Sequence, residues 1–520
     1  MTLVTPRDGT RRGRPILATA ALGVAVFALA PVVHLLMRAF ADGPERVFSL
    51  VFRPRTLELV WRSGALAVTV TVACLILGLA AAWLTTRTDL PGRRWFALAL
   101  SLPLAIPSYV SGFVWIAQFP ALEGFVGAAL VLTCASFPYV YLPVAAALAS
   151  ADPGLEEVAR TLGRSRLAAT LTVTLRQVWP TAAAGGLLVA LYTLSDFGAV
   201  ALMRYEAFTL AIYGSYRGLL DRTPAAVFGL VLVAIAVVLT VAERSARRGA
   251  TARIGSGTAR TAEPVMLGSR RWPAIGFLVA LLVVSVGVPV AGLARWLWRS
   301  QQIAVDWSGI WTATTYTLWV SALGALLTTV LALPVGIYAA RSHSRLSRFT
   351  ESAAYIGFAL PGITVGLALV FFGIRLLPQW YQQTPMLVIA YAVLFLPLAV
   401  GSIHAAIAAI PRGLEDASAT LGSGRLLTGL RVTIPIAAPG VVAGAALAFL
   451  TIAKELPATL LLVPIGHDTL ATGMWRHTET LAYGSAAPYA VILVLIAALP
   501  SLVLGRLLRG RVGAESGGEE

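Results

Sequence analysis

The segment LEEVARTLG at residues 155–163 recurs as LEDASATLG at residues 414–422, which is 259 residues further along the chain. The same offset aligns Gly185 with Gly444. Ungapped agreement in segments that contain charged residues indicates an internal repeat, because shared apolar composition alone would not produce it. The repeat predicts a fold built from two copies of one structural unit.

The composition places these two copies in a membrane. Of the 520 residues, 58% are hydrophobic and 12% are charged, and the mean hydropathy is +0.80. Soluble proteins are about 25% charged. Runs of about 20 apolar residues recur along the chain, which is the length of helix that crosses a bilayer. The predicted spans are 15–38, 59–85, 95–118, 122–149, 179–202, 224–243, 273–298, 313–340, 352–375, 384–409, 436–463 and 485–507.

These spans predict an all-α integral membrane protein with about 12 transmembrane helices, arranged as two parallel six-helix repeats. Because each repeat has an even number of spans, both copies should have the same orientation, related by a pseudo-twofold axis along the membrane normal. Prolines in the third and ninth spans, Pro103, Pro107 and Pro361, predict broken helices. Either these spans line the interface between the units, or they are tightly packed helices.

The repeat and the loop composition together give the domain organisation. The polar stretch at 244–272 is rich in Gly, Ser, Thr and Arg and is typical of a flexible cytoplasmic linker. The predicted divisions are a first unit at 1–243 with a loop at 150–178, the linker at 244–272, a second unit at 273–510 with a loop at 410–435, and a polar tail at 511–520.

The net charge of +16 would suggest a nucleic-acid partner in a soluble protein. Here arginines concentrate in loops between spans, and their distribution favours both termini in the cytoplasm. The apolar stretch at 16–37 is too long for a signal peptide, so it is predicted to be a retained span. Cys74 and Cys134 fall within apolar spans, so neither a disulfide nor a thiolate metal site is expected.

Each repeated loop has the composition of a short helix followed by a turn. Acidic residues come first, as suits a helix N-terminus, and a glycine follows about two turns later, as suits a helix end. An amphipathic helix on the membrane surface and a docking element for another protein both fit one such loop. Two copies at equivalent positions, with small residues in the helix, favour docking.

The loop pattern resembles the coupling motif of binding-protein-dependent ABC importer permeases. It reads as an acid, two small residues, three further residues and glycine, with proline thirteen residues later. The second copy has the expected Pro435 but carries Asp416 in place of glutamate, and the first copy has Leu175-Arg176 in place of proline. The resemblance covers both units and implies that the ATPase-coupling residues are Glu156, Glu157, Ala159, Gly163, Glu415, Asp416, Ala417 and Gly422.

The resemblance also implies the partners. Lys454 is the only lysine of the chain and follows Ala453, so the sequence has no Walker A phosphate loop and is not expected to be an enzyme. Two copies of a nucleotide-binding ATPase are expected on the cytoplasmic face, and a substrate-binding protein on the outer face. ATP would be used by the partner subunits, and no cofactor is expected on this chain. The expected location is the bacterial inner or plasma membrane.

Two further segments are similar to those of fused ferric iron permeases: Ser195–Val200 and Lys454–Thr459. Thiamine, polyamine and oxyanion permeases share the coupling motif, so these substrates stay open. Asp196 and Glu455 are equivalent in the repeat, and Lys454 adjoins Glu455. An ionisable residue at membrane depth either makes a structural hydrogen bond or serves a transport pathway or gate. The five histidines are scattered, so the sequence predicts no metal site.

Two other classes fit the sequence less well. An ion-driven secondary transporter would carry ionisable relays in mid-membrane and would need no repeated loop after the fourth span. A membrane enzyme would require clustered catalytic side chains.

Overall fold

The computed structural model describes residues 14–151, 154–218, 222–251, 264–302, 305–342 and 344–498, and this part of the chain is built from helices with one isolated parallel β-bridge. Pro153, most of the predicted linker and the predicted tail at 511–520 lie outside it. The first half contains α1 (Arg14–Ala39), α2 (Pro44–Val51), α3 (Pro54–Arg87), α4 (Arg93–Ala99), α5 (Ser108–Gln118), α6 (Phe125–Ser136), α7 (Pro138–Ser150), α8 (Gly154–Thr161), α9 (Arg166–Ala169), α10 (Leu175–Ser195), α11 (Gly198–Leu202), α12 (Phe208–Gly218) and α13 (Thr223–Thr251).

The second half also consists of helices. It contains α14 (Arg271–Leu282), α15 (Val288–Ser300), α16 (Trp307–Arg341), α17 (Arg345–Ala354), α18 (Ile356–Ala359), α19 (Gly362–Leu376), α20 (Thr384–Ala408), α21 (Arg412–Thr420), α22 (Arg425–Thr428), α23 (Ile434–Ala453), α24 (Pro457–Leu462), α25 (Leu470–Glu479) and α26 (Tyr483–Ala498).

The membrane-spanning prediction is confirmed. Within the described residues, 9 helical stretches are long and apolar enough to cross a bilayer. A bent pair at Arg93–Gln118 supplies the third predicted span, and the shorter apolar helices α19 and α26 supply the ninth and the twelfth. Every predicted span therefore has a helical counterpart, and the all-α fold class holds.

The broken third and ninth spans are also confirmed. The two parts of the third span meet at an angle of 88° just before Ser108. In the ninth span, α18 ends before the extended residue Leu360, and α19 begins directly after Pro361. Proline has no amide hydrogen and disfavours helical backbone in the residue before it, so the chain starts a new helix at each of these points.

The predicted fifth and eleventh spans, 179–202 and 436–463, are wrong as single helices. The fifth is interrupted after Ser195, and the eleventh is interrupted after Ala453. In both spans the interruption contains the buried acid, Asp196 or Glu455. The hydropathy pattern did not reveal these breaks because the flanking residues are apolar on both sides.

The described chain packs as two compact units. One contains the described residues of 14–41 and 311–469, and the other contains those of 42–310 and 470–498. In the spatial unit that contains 311–469, α1 packs against α17 and α19. In the spatial unit that contains 42–310, α15 packs against α5. The first span of each half therefore belongs to the spatial unit formed mainly by the other half. The predicted sequence units 1–243 and 273–510 differ from this division, because a repeat shows which residues correspond and not which residues pack together.

Both flanks of the predicted linker at 244–272 have defined structure. Helix α13 continues to Thr251. At the other end, the amide of Val265 donates to the carbonyl of Arg87 at 2.8 Å, and the amide of Asp89 donates to the carbonyl of Val265 at 3.2 Å. The end of the linker thus pairs with the loop that follows α3, and the prediction of a flexible connection reaching to residue 272 is wrong at this end.

Small residues let the long helices approach closely. A Cβ added at Gly185 of α10 would lie 2.9 Å from the carbonyl oxygen of Tyr139 in α7. At Gly444 of α23, it would lie 2.8 Å from Cβ of Ser402 in α20. Membrane helices associate through such packing, because water does not drive apolar surfaces together inside a bilayer. The equivalence of the two glycines in the repeat therefore reflects the same helix contact in each copy.

Substituting Gly185→Ala is expected to destabilise the protein by about 1–3 kcal/mol, because the added methyl group would overlap the backbone of α7. The thermal unfolding midpoint of the purified protein in detergent measures this effect. Gly214→Ala in α12 is the matched control, since a Cβ there meets nothing within 4 Å. Equal midpoints for the two variants would contradict the close contact.

Candidate functional site

The helix of the first repeated loop ends at a glycine that the backbone requires. Helix α8 stops before Gly163, whose φ of +86° lies in the left-handed region. The amide of Gly163 donates to the carbonyl of Arg160 at 3.0 Å, and the amide of Arg164 donates to the carbonyl of Ala159 at 3.1 Å. This pair of bonds is a Schellman motif, which terminates helices and favours glycine. The predicted helix end is confirmed.

The second repeated loop ends its helix in the same way. Helix α21 stops before Gly422, at φ +85°, and the amide of Ser423 donates to the carbonyl of Ser418 at 3.1 Å. Within the described chain, a Cβ added at Gly163 or Gly422 would meet no atom within 4 Å. The requirement for glycine inside this protein is therefore conformational, and the surroundings of both glycines are open. We call α8 and α21 the loop helices.

The two acidic residues of each loop helix have different surroundings. Glu156 is half-buried and accepts hydrogen bonds from the hydroxyls of Thr170 at 3.2 Å and Thr174 at 2.7 Å. Its counterpart Glu415 accepts a bond from Thr433 at 2.9 Å. Thr174 and Thr433 are equivalent in the repeat, and each lies in a π-helical turn. The first acid of each pair therefore holds the loop helix against the following helix.

The second acid of each pair, Glu157 or Asp416, is exposed. Ala417 is exposed as well, whereas Ala159 is buried against the protein. The predicted ATPase-coupling residues therefore have two different surroundings. Glu156, Glu415 and Ala159 face inward, and Glu157, Asp416 and Ala417 face outward. The outward set is the more accessible of the two to another molecule.

Each loop helix also presents apolar side chains outward. Leu155 and Val158 of α8 and Leu162, which directly follows its last residue, are exposed and, at spacings of three and four residues, lie on one side. In the second copy Leu414 and Leu421 occupy the equivalent positions and are exposed. Leu162 and Leu421 are the most exposed of these, at 79% and 86%. Paired apolar and acidic groups on a short helix suit a groove that is apolar at its centre and basic at its rim.

Sequence reasoning missed two arginines that lie at the bases of these loops. Arg87 is the last residue of α3, and Arg341 is the last residue of α16. In the sequence, the arginines of the loops indicated only the orientation of the spans in the membrane. Arg341 forms an ion pair with Glu415 at 2.8 Å. The usable signal was their position: each arginine ends the second span of its repeat.

Asp196 and Glu455 are buried and cap the short helices that follow them. Asp196 accepts a bond from the amide of Ala199 at 2.8 Å and another from the hydroxyl of Ser108. Glu455 accepts bonds from the amides of Ala458 at 2.9 Å and Thr459 at 3.0 Å. Each acid lies one position before the N-cap residue, Phe197 or Leu456, and its carboxylate binds amides of the first helical turn, which have no partner inside the helix.

The capping acids also connect two broken spans in each copy. Ser108 and Gly362 each begin a helix directly after the proline of a broken span. In the first copy, the Ser108 hydroxyl binds the shorter acid Asp196. In the second, a Cβ on Gly362 would lie 2.7 Å from Oε1 of the longer acid Glu455. The two copies therefore fill one space either with serine and aspartate or with glycine and glutamate.

These contacts show that Asp196 and Glu455 make structural hydrogen bonds. That the two acids also serve a transport pathway or gate stays a hypothesis. Lys454 ends the helix before Glu455 and is half-buried. Among the described residues, no group of three or more His, Cys, Asp or Glu side chains is placed to hold a metal ion.

Comparisons with known proteins match this architecture. The family described as "Binding-protein-dependent transport system inner membrane component" matches twice, at residues 74–250 and 332–512. The Fe(3+)-transport system permease protein FbpB 2 of Haemophilus influenzae is 36% identical over 478 residues, covering 91% of this chain and 94% of the relative. The molybdenum transport system permease protein ModB of Escherichia coli is 30% identical over 226 residues, covering 39% of this chain and 96% of the relative.

Among solved structures, a chain of the MetNI methionine ABC transporter in an inward-facing conformation is 20% identical. It covers 38% of this chain and 94% of its own length, with a TM-score of 0.32.

Proposed function

The chain belongs to the family of binding-protein-dependent transport system inner membrane components and is a transport permease, and we propose that it moves ferric iron into the cell. The observation that carries the iron proposal is the similarity to a ferric iron permease along 91% of this chain, including both repeats. The molybdenum permease covers 39% of the chain, which is about one repeat. Molybdate and sulfate are therefore the competing substrates to test.

We infer that the loop helices dock separate ATPase subunits, one at each loop. The outward groups support this: an acid and a row of apolar side chains on each helix, at equivalent positions of the two repeats. A membrane surface is the alternative for an apolar helix face. An exposed acid at the start of each helix disfavours it, because the inner leaflet is itself negatively charged.

The proposed cycle is alternating access. A substrate-binding protein delivers ferric iron on the outer face, and ATP binding draws the two ATPase subunits together on the inner face. Movement of the loop helices would then change which side of the membrane the pathway opens to. Both termini are proposed to lie in the cytoplasm, on the same side as the ATPases, because arginines concentrate in the loops of that side. ATP would be hydrolysed only by the partner subunits.

A reconstitution experiment tests this proposal. The chain is co-expressed with the ATP-binding-cassette ATPase and the ferric-ion binding protein of its host, purified, and placed in lipid vesicles. Iron-loaded binding protein is expected to stimulate ATP hydrolysis several-fold over iron-free binding protein. Absence of both a complex and stimulation would refute the importer function. Stimulation only by a molybdate- or sulfate-loaded binding protein would refute iron and retain the importer.

A further inference from the structure

Arg341 connects the end of a membrane span to the start of the second loop helix. Both terminal nitrogens of its guanidinium lie 3.2 Å from the carbonyl oxygen of Ile410, the first residue of the loop. Its Nε and Nη2 atoms donate to Oε1 of Glu415 at 3.1 and 2.8 Å. One side chain thus binds the loop backbone and the loop helix together.

The same carboxylate extends the connection to a second span. Oε1 of Glu415 also accepts the hydroxyl of Thr433, which ends the π-helical turn directly before α23. Arg341 and Glu415 therefore join three segments: the end of α16, the loop helix α21, and the start of α23. Both side chains are largely shielded from water, with exposed fractions of 17% and 25%. Such shielding strengthens charge-assisted hydrogen bonds.

An equivalent arrangement occurs in the first repeat. Nη2 of Arg87 lies 3.5 Å from the carbonyl oxygen of Ala151, the residue equivalent to Ile410. The carboxylate of Glu156 accepts a hydrogen bond from the hydroxyl of Thr174 at 2.7 Å, just as the carboxylate of Glu415 accepts one from the hydroxyl of Thr433. The arrangement recurs although 64 residues separate Arg87 from Ala151 and 69 separate Arg341 from Ile410.

We propose that Arg341, and Arg87 in the first repeat, are positioning residues that transmit movement of each loop helix to the second span of its repeat. This proposal rests on the proposed function, in which the loop helices carry the ATPases. Without the arginine, a loop helix would remain joined to the helix that follows it through its acid and threonine. It would lose its side-chain connection to the preceding span, so ATP hydrolysis would be converted less efficiently into transport.

The two positioning residues are not equal. Arg341 makes a direct ion pair with Glu415, whereas Nε of Arg87 is buried and has no hydrogen-bond partner within the described chain. Glu156 instead receives a second hydroxyl, that of Thr170. Removal of the guanidinium should therefore affect the second repeat more than the first.

The test measures iron transported per ATP hydrolysed in vesicles that contain the full complex. For Arg341→Gln this ratio is expected to fall about tenfold. A change of about tenfold corresponds to the lower end of the free energy that one hydrogen bond to a charged group contributes. Arg87→Gln should lower the ratio less. A purely structural role would reduce hydrolysis and transport together and leave their ratio unchanged, which would overturn the proposal.

Three further variants make the result decisive. Arg345→Gln removes an exposed arginine four residues away and should leave the ratio at the wild-type value. Arg341→Lys should recover part of the ratio, because it restores the charge but not the two-sided geometry. Exchange of the pair, Arg341→Glu with Glu415→Arg, tests the ion pair by itself. A ratio no better than that of Arg341→Gln would contradict the ion pair.

A wild-type complex that neither hydrolyses ATP nor transports iron would refute the proposed function instead.

Discussion

Replacing Gly163 and Gly422 together with aspartate is expected to reduce ATP-dependent iron uptake to background, while the chain still inserts into the membrane. Each new carboxylate would follow the most exposed leucine of a loop helix, Leu162 or Leu421. A charge buried in a protein–protein contact without a partner costs several kcal/mol, which exceeds what a short helix gains by docking. Uptake in vesicles and co-purification of the ATPase are both measured.

The matched control for this pair is asparagine at the same two positions. Asparagine has nearly the shape of aspartate, carries no charge, and tolerates the left-handed backbone that both glycines adopt. The double asparagine variant should therefore keep substantially more uptake than the double aspartate variant. Normal uptake by the aspartate variant would refute the docking role of the loops. Equal loss in both variants would show that backbone strain, and not charge, is responsible.

Substituting Gly362→Ser is expected to destabilise the second repeat by about 2 kcal/mol, the typical cost of inserting atoms into a filled space. The new Cβ would lie 2.7 Å from Oε1 of Glu455 and 3.1 Å from Cγ of Pro457. Adding Glu455→Asp shortens the acid and recreates the serine–aspartate pair of the first repeat, with room for the serine hydroxyl to donate. The double variant should recover most of the lost stability, as measured by thermal unfolding.

The reciprocal exchange in the first repeat provides the control. Asp196→Glu alone should destabilise, because the longer acid meets Ser108, and Ser108→Gly in the same chain should relieve the conflict. A double-mutant cycle gives the coupling between the two positions. Single and double variants that lose equal stability would contradict the description of the two pairs as alternative ways to fill one space.

Local features of the fold were predictable from the sequence. Apolar run length located all of the spans, and proline at positions 107 and 361 located two breaks, because both signals depend only on neighbouring residues. The glycine ends of the loop helices were predictable for the same reason. The breaks beside Asp196 and Glu455 were not, since a single acid among apolar residues can either cap a helix or lie within one.

Features that depend on distant residues could not be predicted. The ion pair of Arg341 with Glu415 joins positions 74 residues apart, and no local pattern marks it. The exchange of first spans between the spatial units also depends on tertiary packing. Within each loop, the sequence analysis assigned both acids to the same set of ATPase-coupling residues. The structure separates them, because only the first faces a threonine of the following helix.

The number of ATPase copies bound to each chain tests most directly whether both loops dock an ATPase. Native mass spectrometry of the purified, nucleotide-free complex gives that number. Wild-type chain is expected to carry two copies, Gly163→Asp or Gly422→Asp alone to carry one, and the double aspartate variant to carry none. A wild-type complex with a single copy, or a double variant that retains two copies, would contradict docking at the two loops.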